Sequence, residues 1–587
     1  MSNLVTEARL LGVAAAPGLA VAPCLIVRPF QGLDDIRLSI SVDQVDGEIK
    51  RFDQAVDRGV TQIEAIRSKA EAAGELTGAA VIEAQAFMLM DPVLLDGVKE
   101  KIQGLLPAER AVQETIEEHA NILAGLDDPY LRERAQDIRD LGGRLLGILT
   151  GQESMDLSNL ESDVILVGYD ITPSQMASLD TKRVKGIVAE IGGKTSHTAI
   201  LANNMEIPAV LGCVGVLSHV EEGQTIFVDG SAGAVEVGIS EERAEELQIV
   251  ALRRKKLQET LKELVNLPTQ TKDGFRIELA ANIMNPQGAE RAISVGADGV
   301  GLYRTEFLYM DRPNLPSEEE QYQVYSQAVK AFAGKPVIIR TMDIGGDKEV
   351  ASLKLPKEDN PFLGYRALRI CLDNPELFKA QLRAILRAGA HGKALIMYPM
   401  VASLQEIRAA NAILEEAKES LRKEGLPFDE SLEVGIMIEI PSAAITADLL
   451  VDDVAFFSIG SNDLTQYTLA VDRMNQRISH LYNHFEPGVL RLIRNVIQVA
   501  NQAESPKFAG MCGEMAADPL ATLLLLGFGM TEFSVNPANL LRIKKIITSV
   551  EMSYAKKVAE EAMQLSTAEE IVAYLKESIP EELREYL

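Results

Sequence analysis

Beyond Pro268 the chain alternates short apolar runs with helical stretches, and this alternation restricts the fold more than any other feature. The candidate strands run from Ile277 to Asn282, Gly299 to Arg304, Pro336 to Thr341, Ala394 to Met400, Val434 to Glu439, Ala455 to Ser461, Lys507 to Cys512 and Glu532 to Asn536. Apolar helical stretches, among them Glu376 to Arg387, Leu404 to Arg422 and Gly488 to Gln502, separate most of them. Eight strands spread over about 320 residues predict one (β/α)8 barrel with insertions.

Chemistry in such barrels sits at the C-terminal strand ends and in the loops that follow. The second candidate strand ends in Arg304-Thr305-Glu306, and the third in Arg340-Thr341-Met342-Asp343, followed by Gly345-Gly346-Asp347-Lys348. The fifth ends in Glu439, the sixth in Ser461-Asn462-Asp463 and the seventh in Cys512-Gly513-Glu514. Arg304, Arg340, Lys348 and Arg473, with Arg366 from Gly364-Tyr365-Arg366, are therefore expected at one mouth. Several guanidinium forks together suit a compact polyanion such as a phosphate ester. Glu439 and Asp463 among them are hard oxygen donors of the kind Mg2+ takes beside phosphate. Cys512 carries a thiol that stays mostly protonated at neutral pH and can give its proton to carbon. A buried, inert cysteine is the alternative at that position.

In the front half the conspicuous run is Gly192-Gly193-Lys194-Thr195-Ser196-His197-Thr198-Ala199-Ile200. Paired glycines and a helix start supply backbone donors for an anion, and Lys194 adds charge. His197 is then placed to accept and pass on a phosphoryl group. A Gly-Gly turn with a capped helix and an incidental histidine is the other reading. His480 and His484 have an i, i+4 spacing without a third ligand, which predicts a surface or capping role.

The remaining segments frame these two sites. Leu10 to Val27 is uncharged but broken by Pro17, Gly18 and Pro23, which predicts two short strands rather than a targeting helix. From Ser41 to Ile148 the period becomes helical, with Val45, Ile49, Phe52, Val56, Val60 and Ile63 on one face and acidic pairs at Glu117-Glu118 and Asp127-Asp128. Val164 to Val167, Gly186 to Ala189 and Thr225 to Gly230 read as buried strands. A charged helix from Ser240 to Val265, stopped by Asn266-Leu267-Pro268, suits a hinge or spacer. The four cysteines are far apart, which excludes a disulfide framework and fits a reducing, cytoplasmic setting. A net charge of −28 excludes nucleic acid as a partner and favours a basic protein.

These residues together resemble the enzyme I family of the bacterial phosphoenolpyruvate-dependent sugar phosphotransferase system. The matching segments are residues 192–198, Gly301-Leu302-Tyr303-Arg304-Thr305-Glu306-Phe307, residues 340–348, residues 458–467 and Gly510-Met511-Cys512-Gly513-Glu514. The resemblance implies an α/β multidomain chain. Residues 1–30 and 153–239 would form a swivelling phosphohistidine α/β domain, and 31–152 an inserted helical bundle that docks the carrier protein HPr. Residues 240–266 would be a linker helix, and 267–587 a (β/α)8 TIM barrel that binds phosphoenolpyruvate and makes a homodimer. It implies that Arg304, Arg340, Lys348, Arg366, Asn462 and Arg473 hold substrate and that Glu439 and Asp463 hold Mg2+. His197 would be phosphorylated, Cys512 would be the proton donor, and pyruvate would be released. Lys194 stands where many members have Arg. Two other readings compete with this one. One is a phosphoenolpyruvate synthase or dikinase, against which the absence of room for an ATP-grasp domain and of a Walker-type loop is expected to tell. The other is a non-catalytic regulator that senses phosphoenolpyruvate. No segment is expected to enter a membrane.

Overall fold

The computed structural model describes residues 8–27, 36–72, 88–125, 129–151, 157, 160–172, 175–176, 179–193, 196–310, 312, 314–346, 350, 353, 355 and 358–587. The chain divides into two compact units, Met1–Leu257 and Gln258–Leu587.

The first unit is built on strands β1 (Ala8–Leu11), β2 (Val13–Ala16), β3 (Leu19–Val27), β4 (Val164–Gly168), β5 (Val184–Ala189), β6 (Ala209–Leu211), β7 (Thr225–Asp229) and β8 (Ala234–Val237). Their order is β1-β8-β7-β3-β4-β5-β6-β2. Three strands form where two were expected before Pro29, because Gly12 and Gly18 each break the run. A Cβ on Gly12 would meet the carbonyl oxygen of Leu211 at 2.6 Å. Gly18 has a φ of +135°, which only glycine adopts without strain. Within β3, Leu19 to Pro23 pair antiparallel with β7, and Cys24 to Val27 pair parallel with β4. Pro23, which has no N–H, stands where the partner changes.

Helices Val45–Ala72, Pro92–Gln103, Ala108–Ala124 and Pro129–Thr150 lie between β3 and β4 in the chain. Phe52, Val56 and Ile63 of the first pack with Val98, Ile102, Val112, Ile116, Leu141 and Leu145 of the others. Helix Ala108–Ala124 begins after Pro107, which has no capping side chain. Its first N–H is satisfied instead by the buried carboxylate of Glu48, at 3.0 Å. Arg37 and Arg51 pair with the same carboxylate at 2.7 and 2.8 Å. One side chain thus serves as both cap and ion-pair partner between two helices.

Helix Glu241–Lys262 buries only Leu247, and the division between the units falls within it. Its apolar residues Ile249, Val250 and Leu252 are exposed, and no single apolar stripe commits it to one core.

The second unit contains β9 (Glu278–Ile283), β10 (Val300–Arg304), β11 (Val337–Arg340), β12 (Ala394–Tyr398), β13 (Val434–Ile438), β14 (Phe456–Ile459), β15 (Phe508–Met511) and β16 (Glu532–Val535). Each is parallel to the next, and β16 pairs with β9 to close the barrel. The expected (β/α)8 architecture is therefore present. Inside it Leu302, Ile338, Leu395, Met397, Met437 and Phe456 form one apolar cluster that also includes Cys512. Helices Pro375–Gly389, Leu404–Glu424 and Pro487–Gln502 follow β11, β12 and β14, and each buries an apolar face. Among the described residues no helix is long and apolar enough to cross a membrane.

Replacing Glu48 by Gln keeps the side-chain shape but removes the charge that serves Arg37, Arg51 and the Ala108 N–H. The helical block should lose about 1–3 kcal/mol, read as an earlier urea transition of the first unit. An unchanged midpoint would show that the cluster contributes nothing.

Candidate functional site

At the C-terminal ends of β10 and β11, Arg304 and Arg340 stand level, as register partners. Three connections lock the backbone there. Thr305 Oγ1 donates to the carbonyl of Arg340 at 2.8 Å, and Gln381 Nε2 donates to that hydroxyl at 3.1 Å. Met342 N donates to Gln381 Oε1 at 2.9 Å. The end of β11 is thereby held from two directions before any ligand arrives.

From this anchor the side chains form a linear relay of alternating charge. Glu306 Oε1 lies 2.7 Å from Arg340 Nη2, and Arg340 Nη1 lies 3.1 Å from Asp343 Oδ2. Asp343 Oδ1 is 2.9 Å from Arg366 Nη2, which reaches Asp463 Oδ2 at 3.2 Å. Asp463 Oδ1 ends the chain on Arg473 Nη1 at 2.9 Å. Arg340 and Arg366 are buried, at 6% and 2% exposure. Burial pushes both guanidinium pKa values down, but the carboxylates around them push harder, and the net direction is up. Both groups are therefore firmly cationic.

The structure brings together Arg340, Arg366, Asp463 and Arg473 by direct contact, whereas sequence reasoning placed cations at a mouth without partners. Glu306 and Asp343 were visible as strand-end residues but were given no part. The Arg340-to-Asp343 spacing of three residues past a strand end was the available signal. Tyr467, also missed, accepts from Arg366 Nη1 at 3.1 Å and donates to the Phe362 carbonyl. Three donors near this relay are left over. The Nε groups of Arg304, Arg340 and Arg366 are buried with no hydrogen-bond partner among the described residues. Unsatisfied buried donors are costly, and an acceptor-rich anion would relieve all three.

Glu439 follows β13 and is 2% exposed. Its Oε1 accepts from Met400 N at 2.6 Å, fixing Met400 at a φ of +58°. Burial, then Asp463 and Asp343, push its pKa well above the usual carboxylate range, against the pull of Arg340 and Arg366. Crowded carboxylates of this kind are relieved by a proton or by a hard cation, so Glu439 and Asp463 fit a divalent metal as oxygen donors. Among the described residues no group of three or more His, Cys, Asp or Glu side chains is arranged around a common point for a metal. The remaining ligands of such an ion would have to come from substrate and water.

Cys512 follows β15 and is 3% exposed. Ser458 Oγ donates to its sulfur at 3.4 Å, and the thiol donates to the Ile459 carbonyl at 3.8 Å. Its own carbonyl accepts from Asn282 Nδ2 at 3.0 Å. Burial raises the thiol pKa to about 11, with Ser458 and Arg340 pulling it down and Glu532 and Glu439 pushing it up. The sulfur therefore carries its proton at neutral pH while packing in the barrel core. Asn462 lies in helix Ser461–Leu469, and its Oδ1 accepts from Glu514 N at 2.8 Å, tying the loop after Cys512 to the loop after β14.

In the first unit, helix His197–Asn204 begins at His197. Ser196 is its N-cap, accepting from Ala199 N at 3.2 Å and donating to the Gly193 carbonyl at 2.9 Å. Thr198 is spent on the Ile171 carbonyl at 2.8 Å. Gly192 has a φ of +109°, so the turn before the helix requires glycine. Lys194 and Lys348 lie outside the described residues. Elsewhere, His119 and His219 contact backbone carbonyls, His391 pairs with Tyr322 Oη, and His484 pairs with Asp518. The expectation of a surface or capping role for His484 is consistent with that partner.

The geometry now has counterparts in known proteins. Residues 258–552 match the family model described as PEP-utilising enzyme, PEP-binding domain. Residues 160–233 match the mobile domain and residues 11–134 the N-terminal region of PEP-utilising enzymes. The Phosphoenolpyruvate-protein phosphotransferase of Staphylococcus carnosus is 44% identical over 568 residues, covering 96% of this chain and 98% of its own. The protein of that name from Haemophilus influenzae is 44% identical over 571 residues, covering 97% and 99%. A solution structure described as Enzyme I (nEIt) covers 42% of this chain and 99% of its own, at 36% identity and a TM-score of 0.37, too low to bear on the fold. With relatives this similar along almost its whole length, the chain belongs to the phosphoenolpyruvate-protein phosphotransferase family, a family of enzymes.

Proposed function

We propose that the chain takes the phosphoryl group of phosphoenolpyruvate onto His197 and passes it to a histidine of HPr, releasing pyruvate at the start of sugar uptake. The observation that carries this reading is the set of three orphaned guanidinium donors on Arg304, Arg340 and Arg366, beside a relay that fixes the last two. A substrate bearing a phosphate and a carboxylate supplies the acceptors they lack.

In this reading Arg304, Arg340, Lys348, Arg366 and Arg473 hold the anionic oxygens, and the Asn462 amide donates to one of them. Glu439 and Asp463 would hold Mg2+, which supplies charge neutralisation at the phosphate oxygens when bound. A ring nitrogen of His197 attacks phosphorus in line, and the bond from phosphorus to the enol oxygen breaks. The guanidinium groups meet the charge as it develops and need not reorganise, because Asp343 and Asp463 already orient them. The enolate of pyruvate departs. Cys512 gives its thiol proton to the methylene carbon, completing pyruvate, and the thiolate regains a proton from solvent. A thiol with a pKa of about 11 reprotonates readily at neutral pH. Protonation at carbon makes the reverse direction difficult.

The same reading assigns residues 1–30 and 153–239 to the phosphohistidine domain and 31–152 to HPr docking, where acidic side chains would steer a basic surface. The segment 240–266 serves as hinge for the shuttle of His197, and 267–587 forms the catalytic barrel and homodimer contact. A cytoplasmic setting supplies phosphoenolpyruvate and keeps the four cysteines reduced.

Incubation with labelled phosphoenolpyruvate and Mg2+ should yield an acid-labile, alkali-stable adduct at His197, absent from His197→Ala; labelling elsewhere would refute the reading. Cys512→Ala should slow pyruvate formation by about 10²–10⁴-fold while phosphoryl exchange between His197 and HPr persists. Equal loss of both would remove Cys512 from the proton step. A fragment ending after Leu257, the boundary of the first unit, should be phosphorylated by phospho-HPr and not by phosphoenolpyruvate, as read by native mass.

A further inference from the structure

The opposite end of the barrel holds a second polar constellation that the phosphoryl chemistry does not use. A cavity of about 300 Å³ opens at the N-terminal ends of the strands. Glu532, the first residue of β16, lies in its wall and is 3% exposed. Neither carboxyl oxygen has a hydrogen-bond partner among the described residues. The space that the carboxyl group fills exists because its neighbours lack side chains. A Cβ on Gly301 of β10 would collide with Oε1, and one on Gly510 of β15 would collide with Oε2. These two glycines belong to the signature segments Gly301-Leu302-Tyr303-Arg304 and Gly510-Met511-Cys512, where the catalytic residues stand at the far end. The strands are thus bare at one end, where they admit a carboxyl group that nothing among the described residues satisfies.

The other polar side chains around the cavity are Arg276, Glu278, Asp298, Lys393 and Thr531. Asp298 Oδ2 already accepts from Leu279 N at 3.1 Å. The remaining wall is aliphatic and aromatic, with Val300, Ile338, Leu395 and Phe508 prominent. A ligand for such a lining carries a cationic donor for the acidic side, an anionic group for Arg276 and Lys393, and a short apolar body. We propose that this cavity binds a small aliphatic α-amino acid, its ammonium group directed to Glu532 and Glu278, and its carboxylate to Arg276 and Lys393. A purely anionic metabolite would leave Glu532 unsatisfied, and a bare amine would leave the two cations unused.

Burial, reinforced by Glu278, raises the Glu532 pKa to about 8. The folded state therefore binds a proton more tightly than the unfolded chain. Stability from this group is fully present below its unfolded pKa and is lost as pH rises toward about 8. Arg276, Glu278, Asp298 and Lys393 are the other charged groups around the cavity, and of these Glu278 adds to the upward push of burial on Glu532. An ammonium ligand at Glu532 would hold it ionised and offset that loss.

The test is calorimetric titration of the full-length protein at pH 8 with L-leucine, with 3-methylbutylamine and with 4-methylpentanoate, the last two lacking one charged group each. Saturable binding of L-leucine, weakened about tenfold or more by Glu532→Gln and separately by Lys393→Ala, is expected. Both single-charge analogues should bind more weakly than L-leucine. No L-leucine binding at about 10 mM, affinity unaltered in both variants, or an analogue that binds as tightly would each overturn the proposal. Lys393 is exposed, so its variant should fold even where Glu532→Gln does not. In the absence of ligand, the thermal midpoint of Glu532→Gln should gain on the native protein as pH is raised from 5 to about 8. A constant difference across that range would show that Glu532 does not hold the extra proton. Pyruvate release by Lys393→Ala without ligand should match the native enzyme, which separates this cavity from the catalytic mouth.

Discussion

Asp343 joins two guanidinium groups that are themselves almost wholly removed from water, and the arginine-rich mouth of the barrel depends on that bridge. A buried arginine without a counterion would be expelled or would drag water in with it. With Asp343 between them, Arg340 and Arg366 remain charged and fixed in place. The bridge adds little net stability by the usual accounting of buried ion pairs, because desolvation offsets most of the attraction. What it provides is orientation. Both forks are held in place, and their Nε groups have no partner among the described residues. The same arrangement explains the crowding at Glu439, whose neighbours include Asp343 and Asp463 as well as the two arginines.

The barrel was legible because its signal is repeated eight times and each strand is apolar enough to be seen against the helices. Residues at strand ends could be assigned to one rim by topology alone, and Arg304, Arg340, Glu439, Asp463 and Cys512 do lie at those ends. The pairing within the rim was not legible. A strand-end carboxylate reads the same whether it meets substrate, metal or a neighbouring arginine, so Glu306 and Asp343 passed as unassigned polar residues. Glu532 was hidden for a related reason. One acidic residue at the start of a strand is ordinarily at the surface, and only the two distant glycines that make room for it reveal that it is inside. The front sheet lost three strands in the sequence reading, one before Pro29 and then β6 and β8, because strands of three or four residues such as β2, β6 and β8 are too short to show a period.

The arginine relay at one end of this barrel and an acid with no partner among the described residues at the other are separated by only the length of a strand. Cys512 and Glu532 sit on adjacent strands or just beyond them, and the Glu532 carboxyl is among the groups that push the thiol pKa upward. Protonation of Glu532 therefore also affects how tightly Cys512 keeps its proton. The effect is small beside burial, yet it means that the two ends of the barrel are not electrostatically independent.

The split of β3 at Pro23 has a consequence for how the chain can evolve. Its second half lies directly beside β4 as a parallel neighbour, although the four helices intervene in sequence. Any parallel pair requires a crossover of a dozen residues or more, and nothing in the ladder dictates what that crossover contains. The helical block is thus an enlarged connection, attached to the sheet at only two points along the backbone. A lineage can reshape or exchange it without disturbing the ladder on either side of it.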